Sequence, residues 1–554
     1  MKHLLQRDRV ATPVVGHRRF RSRLRPLLAR LVAAGVSLAT ALLPGAPAHA
    51  APAAAKPNMI FILLDDLPID SFGVDNRLLR TPNIDRLVKG GTYLPRAAVT
   101  TSLCSPSRAT ILTGMTTRNH KIVDNTNSSE AGLTYFPSYL QKAGYQTALV
   151  GKWHMGGEND APRPGFDRWV SFIGQGTYLP QGDFQKGVQQ TLNVDGKRVD
   201  RKAYITDELT DYAVDWLEHG RDPKKPFFLY FSQKAVHSPC IPAPKYAGQY
   251  QGATYQVPDN FADTPENYRG KPVWVKNQRN TWHGIDIRYL NGIESLQKER
   301  RECDEVLSSV DDSVGRLLDY LKRSGLEKDT VVVFFSDNGS MWGAHGLVDK
   351  RNAYEESVRV PMIAYAPGRI PAGVRSEARV RNLDLAPTFL ALAGVEAPPQ
   401  FEGNSVLPLL EGKKKWSEWP QQDFVYEYYW DWEYPMTPAS FAIVRNNMKY
   451  IQYFGVYDTE ELYDLAKDPR EMNNLINEPA LETVRVDLRH RLFTQLAARD
   501  GSHALPFTER FNRGFVLRNT NGTQPAQFPP EWNVTAPAGK GYAFPDLFNH
   551  AGTK

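Results

Sequence analysis

The chain has 554 residues, of which 41% are hydrophobic and 11% aromatic, a composition that predicts a large packed core and excludes intrinsic disorder. Its length favours two unequal domains over a single one. The formal net charge of +6 comes from the first 50 residues, where nine Lys or Arg and one acid give +8. The rest of the chain therefore carries 6 − 8 = −2. Because this charge is close to neutral, we expect no nucleic-acid partner.

The first 50 residues have the pattern of a secretory signal peptide. An arginine-rich stretch precedes the apolar run Leu31–Pro44, and the small residues Ala48–Ala50 follow. This pattern predicts a signal peptide over residues 1–50 and a secreted or periplasmic location. Arg18-Arg19 leaves the choice between general and twin-arginine export open. A single membrane anchor is the alternative, but the run is short for a spanning helix, so we expect no stable membrane insertion.

Four continuous apolar runs of strand length each lead into a polar cluster. They are Asn58–Leu64 before Asp65-Asp66, Gln146–Val150 before Gly151-Lys152-Trp153-His154, Pro226–Phe231 before His237, and Thr330–Phe335 before Ser336-Asp337-Asn338. Helical patterns between them cover Thr81–Val88, Phe136–Ala143, Tyr204–Glu218 and Asp304–Ser324. Wholly apolar strands are buried on both faces, so the pattern predicts an α/β fold with a doubly wound, mostly parallel sheet sandwiched by helices. Ligands bind such sheets at the carboxyl ends of the strands, where the polar clusters lie.

A charged break at Glu411–Trp416 marks a predicted domain boundary. It separates an α/β domain over residues 57–415 from an α+β subdomain over 416–506, which an irregular tail over 507–554 follows. The subdomain is predicted to contain three short strands and a helix, at Phe424–Trp432, Ser440–Arg445, Lys449–Phe454 and about Leu481–Arg499.

Asp65, Asp66, Asp337 and Asn338 form an all-oxygen set at two predicted strand ends. Oxygen ligands favour a hard cation, Ca²⁺ or Mg²⁺, over zinc. Carboxylates crowded at a buried strand edge need a cation, because like charges otherwise force a proton onto one of them. Either pair alone is also common in solvated turns, but their occurrence together after two buried strands favours a metal site.

The segment from Cys104 to Gly114 carries the most specific pattern of the chain. Pro106 suits a first helical turn, which places Cys104 near a helix N-cap, where backbone N–H groups and Arg108 would face a tetrahedral oxyanion. A bare thiolate there could perform acyl or phosphoryl transfer. However, Cys-Ser-Pro-Ser-Arg followed by Ala-Thr-Ile-Leu-Thr-Gly resembles the signature of the sulfatase family, and the resemblance extends from Pro57 to Leu475.

The resemblance implies an alkaline phosphatase-like fold with a smaller C-terminal antiparallel sheet and a packed helix. It also implies that a formylglycine-generating enzyme oxidises Cys104 to formylglycine, and that calcium is bound by Asp65, Asp66, Asp337, Asn338 and the modified Cys104. The implied catalytic residues are Cys104, Arg108, Lys152, His154, His237, Asp337 and Lys350. Four of them would also bind the sulfate group: Arg108, Lys152, His237 and Lys350.

In the implied reaction cycle, the hydrated aldehyde at position 104 attacks sulfur after Asp337 helps to remove one hydroxyl proton. His237, assisted by Lys350, protonates the departing alcohol or phenol. His154 then removes the second hydroxyl proton, which expels sulfate and restores the aldehyde. The substrate would be a small-molecule or glycan sulfate ester.

The sequence leaves the substrate and two further points open. Asn119–Asn125 resembles carbohydrate sulfatases and the aromatic segment Tyr426–Tyr434 could stack on sugars, yet both also suit ordinary packing, so aryl and carbohydrate sulfates remain. The alternatives are a phosphate or phosphonate ester hydrolase of the same superfamily and a non-catalytic member that binds sulfated glycans. Cys240 and Cys303 could form a disulfide or remain buried thiols.

Overall fold

The computed structural model describes residues 56–126, 130–155, 159–183, 187–419, 423–431, 434–454 and 459–498. The predicted signal peptide at 1–50 and the predicted tail at 507–554 lie outside the described residues. Within the described ranges, no helix combines the length and the apolar character that crossing a membrane requires.

A ten-stranded sheet forms the centre of the fold. Its strands are β1 (Asn58–Leu64), β2 (Thr92–Ala98), β3 (Gln146–Gly151), β4 (Arg168–Ser171), β5 (Thr191–Val194), β6 (Lys197–Asp200), β7 (Phe227–Ser232), β8 (Thr330–Ser336), β9 (Arg359–Tyr365) and β10 (Val374–Arg375). They are arranged in the order β10-β2-β9-β8-β1-β7-β3-β4-β5-β6. The central strands β8, β1, β7, β3 and β4 are parallel to one another, whereas β9, β5 and β6 run antiparallel to their neighbours.

Helices cover both faces of this sheet. They are α1 (Pro82–Gly90), α2 (Cys104–Thr113), α3 (Thr117–His120), α4 (Phe136–Lys142), α5 (Ile205–Asp215), α6 (Val273–Gln278), α7 (Ile285–Arg288), α8 (Ile293–Arg323), α9 (Glu355–Val358), α10 (Leu385–Leu392), α11 (Leu407–Leu410) and α12 (Glu482–Ala497). Strand β1 shows why both faces need cover. Its odd-numbered side chains, such as Phe61, pack with α2, α4 and α10, and its even-numbered ones, such as Ile62, pack with α1, α5 and α8.

The predicted strands and helices of the first domain are present, and the differences lie in less regular sequence. Strand β2 was not predicted because Pro95 and Arg96 interrupt its apolar pattern, and its pairing with β9 shifts register between Leu94 and Ala97. Helix α8 begins at Ile293, well before the predicted start at Asp304, because its first turns are rich in charged residues and partly exposed.

A second, four-stranded antiparallel sheet consists of β11 (Phe424–Tyr428), β12 (Ala439–Arg445), β13 (Met448–Phe454) and β14 (Glu461–Asp464), in that order. Helix α12 packs on one face through Leu488, Leu492 and Leu496. The predicted first strand ends at Tyr428 instead of Trp432. This sheet is joined directly to the region of the signature, because the Glu427 N–H donates to Thr100 O at 2.8 Å.

Cys240 and Cys303 form a disulfide. The bond links the loop after β7 to the third turn of α8, so it holds the loop that carries His237 against the longest helix of the fold. The pairing that the sequence left open is therefore present in the structure.

Candidate active site

The carboxyl ends of four neighbouring parallel strands bring the predicted polar residues to one edge of the sheet. Across β8, β1, β7 and β3, these residues are Asp337-Asn338, Asp65-Asp66, His237 and Lys152. Gly151 ends β3 at a φ of +120°, and a Cβ there would lie 1.7 Å from Ser232 O. Glycine is therefore required for β3 and β7 to approach each other where Lys152 leaves the sheet.

Cys104 is the first residue of α2, one position inside the helix from the predicted N-cap. Its side chain is fully buried, and Sγ lies 3.5 Å from Asp65 Oδ1. Ser105 fixes this turn, since its N–H donates to Asn125 Oδ1 at 3.0 Å and its hydroxyl donates to His154 O at 2.6 Å. Burial, together with the charge of Asp65, raises the pKa of the Cys104 thiol to about 12. An unmodified thiol here would be a weak nucleophile at neutral pH.

Three buried carboxylates, of Asp65, Asp66 and Asp337, have oxygens within 4.8 Å of one another. Asn338 donates from Nδ2 to Asp66 Oδ1 at 2.5 Å, whereas its buried Oδ1 accepts no hydrogen bond from any residue that the structure describes. Burial and the repulsion of Asp65 raise the pKa of Asp337 to about 7. A cation would give the unused oxygen a partner and remove the repulsion, so the donor set fits Ca²⁺ or Mg²⁺.

Two lysines face the same carboxylates. Lys152 forms an ion pair with Asp65, and Lys350 Nζ lies 2.7 and 2.6 Å from the two oxygens of Asp66. Burial acts to raise the pKa of Asp65, but Lys152 and the other nearby cations hold it well below its ordinary value. The site therefore combines closely packed charges of both signs, which suits the binding of an anionic ester beside a cation.

Arg108 lies beneath these groups and is almost fully buried. Its Nε donates to Asp337 Oδ2 at 2.9 Å, and its Nη1 donates to Lys152 O at 3.0 Å and to Ser232 Oγ at 2.6 Å. These contacts fix the positions of Asp337 and Lys152. Direct contact of Arg108 with the sulfate group remains a prediction, because Arg108 does not line the adjacent cleft.

Two histidines face the cleft above the carboxylates. His237 Nε2 lies 3.7 Å from Asp66 Oδ2, and the His154 backbone, three residues after the end of β3, adopts a φ of +47°. Burial lowers the pKa of both imidazoles well below the ordinary value, and Lys350 adds to the effect at His237 as Lys152 does at His154. Both rings are therefore neutral at neutral pH.

The cleft has a volume of about 910 Å³, and Asp66, His154, His237 and Lys350 form part of its wall. Aromatic side chains line its mouth, among them Trp282, Trp342 and Tyr434. Trp282 is 69% exposed, which is unusual for so large an apolar side chain. The cleft thus has a charged floor and an aromatic rim.

Some residues that line the cleft were not predicted from the sequence. Gln175 lines it and accepts a hydrogen bond from Lys152 Nζ, but nothing in the irregular sequence around Gln175 indicated this. Trp282 and Arg288 lie in the long connection between β7 and α8, which has little periodicity. Arg288 Nη2 donates to Ser238 Oγ at 2.6 Å, which holds the connection against the His237 loop.

The two segments considered for sugar binding divide between the cleft and the core. Tyr426 and Tyr428 are fully buried in the core, so they are not available for stacking, whereas Tyr434 lines the cleft. In the other segment His120 is buried, and Asn125 both lines the cleft and holds the start of α2.

Known proteins are similar to this chain in sequence and in fold. Residues 57–395 match the family described as Sulfatase, and residues 343–498 match that described as N-sulphoglucosamine sulphohydrolase, C-terminal. The chain is 33% identical over 476 residues to an N-acetylglucosamine-6-O-sulfatase of Bacteroides thetaiotaomicron, with 76% of this chain and 82% of that protein covered. A solved complex of a protein with its substrate D-glucosamine-2-N,6-O-disulfate is 30% identical, with a TM-score of 0.72 and coverage of 80% and 98%. A phosphonate monoester hydrolase of Agrobacterium radiobacter shares the fold, with a TM-score of 0.65 at 22% identity and coverage of 80% and 95%.

Proposed function

Because the chain belongs to the sulfatase family, and is thus a sulfuric ester hydrolase with the predicted alkaline phosphatase-like fold, we propose that it removes a sulfate ester from an amino sugar of a glycan. The proposed nucleophile is a formylglycine derived from Cys104, and the proposed cofactor is a divalent cation. The observation that carries the proposal is the placement of Cys104 at the start of α2, with Sγ 3.5 Å from Asp65 of the carboxylate cluster.

We assign the cation to Asp65, Asp66, Asp337 and Asn338, with residue 104 as a further ligand. A hard cation held there would stabilise negative charge on the sulfate oxygens. The unused Asn338 oxygen and the raised pKa of Asp337 support this assignment. Calcium is our first choice, since an all-oxygen donor set suits it, and magnesium is the alternative.

The proposed modification of Cys104 would supply a hydrated aldehyde, which can release sulfate by elimination and so avoids a second attack by water. The buried, protonated thiol supports it, because the unmodified side chain offers little nucleophilic power. The partner required for maturation is a formylglycine-generating enzyme. Around residue 104, the chain itself supplies the Lys152 ammonium group, which would hold the anion. The Ser105 and Ser107 N–H groups of α2 already donate to Asn125 Oδ1 and Leu103 O.

We assign proton transfer to the two histidines of the cleft. His154 is neutral and so can accept a proton on the nucleophile side. His237 stands beside Lys350, whose charge helps to lower the His237 pKa. A bound sulfate ester would offset that charge and favour the protonated imidazole, which can then donate to the leaving oxygen.

The cleft supports a sugar in preference to a simple aryl group. An exposed tryptophan at its mouth offers a flat apolar face, while Arg288, Glu299 and Asn125 offer hydrogen bonds around it. The names of the relative and of the bound substrate in the similar structure point to 6-sulfated glucosamine. We therefore propose a 6-O-sulfated glucosamine or N-acetylglucosamine residue as the substrate.

We also propose that the chain is exported. Disulfides persist mainly in oxidising compartments, so the Cys240–Cys303 bond supports the secreted or periplasmic location predicted from residues 1–50.

Two measurements test the proposal. The tryptic peptide Ala97–Arg108 of protein purified from its native host should be lighter by the change from CH₂SH to CHO and should react with a hydrazide. Release of sulfate should then be compared on glucosamine 6-sulfate, N-acetylglucosamine 6-sulfate, 4-nitrophenyl sulfate and a matched phosphonate ester. An intact thiol would refute the proposed nucleophile. A preference for the aryl or phosphonate ester would refute the proposed substrate.

A further inference from the structure

A second cavity, of about 350 Å³, lies away from the catalytic cleft and shares none of the residues that line it. The cavity is formed where Arg96 of β2, the loop after β10, the turn between β12 and β13, and the short helical turn Trp416–Glu418 meet. We refer to it as the Arg96 site.

Four arginines line the Arg96 site, and three of them have carboxylate partners. Arg379 lies 2.8 Å from Glu355, Arg381 lies 2.7 Å from Asp384, and Arg445 lies 2.6 Å from Asp423. Arg96 has no ion pair with any residue in the described part of the chain.

The nearby acids compensate for the charge of Arg96 only in part. Glu355 is shared between Arg379 and Lys449, each at 2.8 Å. Glu377 lines the cavity, but it is largely exposed and pairs with Arg375. Burial lowers the pKa of Arg96 and the charge of Arg379 lowers it further, while Glu355 and Glu377 offset only part of this effect, so Arg96 is incompletely compensated in partly desolvated surroundings. An anion that binds between the two guanidinium groups would remove this repulsion.

The remaining wall of the cavity suits a carbohydrate. The half-buried Trp416 and Trp419 and the exposed Asn446 and Asn447 line it together. Both asparagines have positive φ, +49° and +63°, as a tight hairpin turn requires. Aromatic faces with a few placed polar groups are typical of small-ligand sites.

We propose that the Arg96 site binds a sulfated sugar unit of a glycan chain outside the catalytic cleft. The guanidinium groups of Arg96 and Arg379 would take the anionic group, and Trp416 and Trp419 would cover the sugar ring. The inference rests on the proposed glycan substrate. Free inorganic sulfate carries the same kind of anionic group, so the test must distinguish a sulfate group on a glycan from inorganic sulfate.

Arginine labelling with phenylglyoxal, read by peptide mass spectrometry, reports on the site without any turnover. The expected result is that a heparin tetrasaccharide slows labelling of Arg96, whereas the desulfated tetrasaccharide and an equal concentration of inorganic sulfate do not. Equal protection of Arg96 by inorganic sulfate or by the desulfated tetrasaccharide would overturn the proposal. So would the absence of protection by the heparin tetrasaccharide. If the heparin tetrasaccharide protects Arg96 but the protein hydrolyses no sulfated sugar, the proposed substrate is refuted and the proposed Arg96 site still stands.

Matched variants then locate the binding. In calorimetric titrations with the tetrasaccharide, Arg96→Ala should weaken one binding event about tenfold, or ~1.4 kcal/mol, and Trp419→Ala should weaken the same event. Arg86→Ala removes an exposed charge from α1 and should leave that event unchanged. Hydrolysis of a monosaccharide sulfate should be unaffected in all three variants. Equal weakening by Arg86→Ala would show a general charge effect and contradict the proposed site.

Discussion

Arg108 and Asp337 form a buried pair in which Nε of the arginine donates a 2.9 Å hydrogen bond to Oδ2 and Nη2 lies 2.8 Å from the same oxygen. Arg108 belongs to the signature helix, and Asp337 ends β8 in the middle of the sheet. The pair therefore fixes the helix that carries Cys104 relative to the proposed cation site. It also explains why an arginine, with its planar fork of donors, occurs at this position.

Replacing Arg108 with lysine should lower kcat by about 100-fold or more, because one ammonium group cannot hold Asp337, the Lys152 carbonyl and Ser232 together. Steady-state kinetics with a sugar sulfate would measure the effect. Arg381→Lys, which alters a similar pair with Asp384 outside the cleft, is the matched control and should retain near-normal kcat. A kcat for Arg108→Lys within a few-fold of the unmodified protein would contradict the role assigned to Arg108.

Removing the cation should lower both activity and thermal stability. A chelator should abolish sulfate release, and calcium at 100 times its Kd should then restore about 2.7 kcal/mol of stability. Asp337→Asn removes a proposed ligand, so the variant should gain little stability when calcium is added. It also leaves the buried Arg108 without its charged partner, so the variant should be less stable than the unmodified protein without calcium. Thermal unfolding with calcium, magnesium or chelator measures this. Unchanged unfolding and activity in chelator would exclude the proposed site.

The central strands and the polar residues at their carboxyl ends could be predicted from the sequence alone. Met59–Leu64 and Val331–Phe335 are apolar throughout because both sheet faces are covered, so the change to Asp65 and Asp337 marks the edge at which sheets of this kind bind ligands. The rest depended on contacts between distant segments. Gln175 and Trp282 reach the cleft through irregular connections, and neither periodicity nor a turn pattern relates these to the strand ends.

Acidification should destabilise the protein through His120. Burial lowers its pKa to about 3, from an ordinary value near 6.5. Its Nδ1 accepts from the Ile122 N–H at 3.1 Å and its Nε2 lies 3.1 Å from Thr110 Oγ1, so the ring is neutral in the fold. Because the folded-state pKa is depressed, the unfolded state binds the extra proton. The contribution of the neutral His120 to the free energy of unfolding is therefore complete above about pH 6.5. It decreases as the pH falls below this value, by up to ~1.4 kcal/mol per pH unit.

Urea unfolding at pH 7, 6 and 5 checks this prediction. His120→Gln should be less stable than the unmodified protein at pH 7, and the difference between them should shrink towards pH 5. His219→Gln, which replaces an exposed histidine, should follow the unmodified protein at every pH. A constant difference between His120→Gln and the unmodified protein would contradict the assigned pKa.

The Cys240–Cys303 bond should stabilise the fold without taking part in the chemistry. It closes a loop across a sequence separation of 63, for which chain entropy gives about 4 kcal/mol. The double variant Cys240→Ala/Cys303→Ala should therefore unfold at a lower temperature, while kcat at 25 °C stays close to normal. Loss of kcat in a variant that is still folded would contradict this prediction and would show that the Arg288–Ser238 hydrogen bond is not sufficient to hold His237 in place.

Replacing His237 with alanine should affect substrates according to their leaving group. His237 lines the cleft and is the proposed proton donor, so its loss should slow the release of a sugar alcohol by about 10²- to 10⁴-fold. A 4-nitrophenolate leaving group needs little protonation, so 4-nitrophenyl sulfate should be hydrolysed at a rate much closer to normal.

His154→Ala is the matched control for this experiment, because His154 is proposed to act on the nucleophile side, after the leaving group has departed. That variant should slow both substrates to the same final rate, and it should accumulate the sulfated form of residue 104, which mass spectrometry of the Ala97–Arg108 peptide can detect. If His237→Ala slowed both esters equally and His154→Ala slowed the sugar ester selectively, the two proton-transfer roles would have to be exchanged.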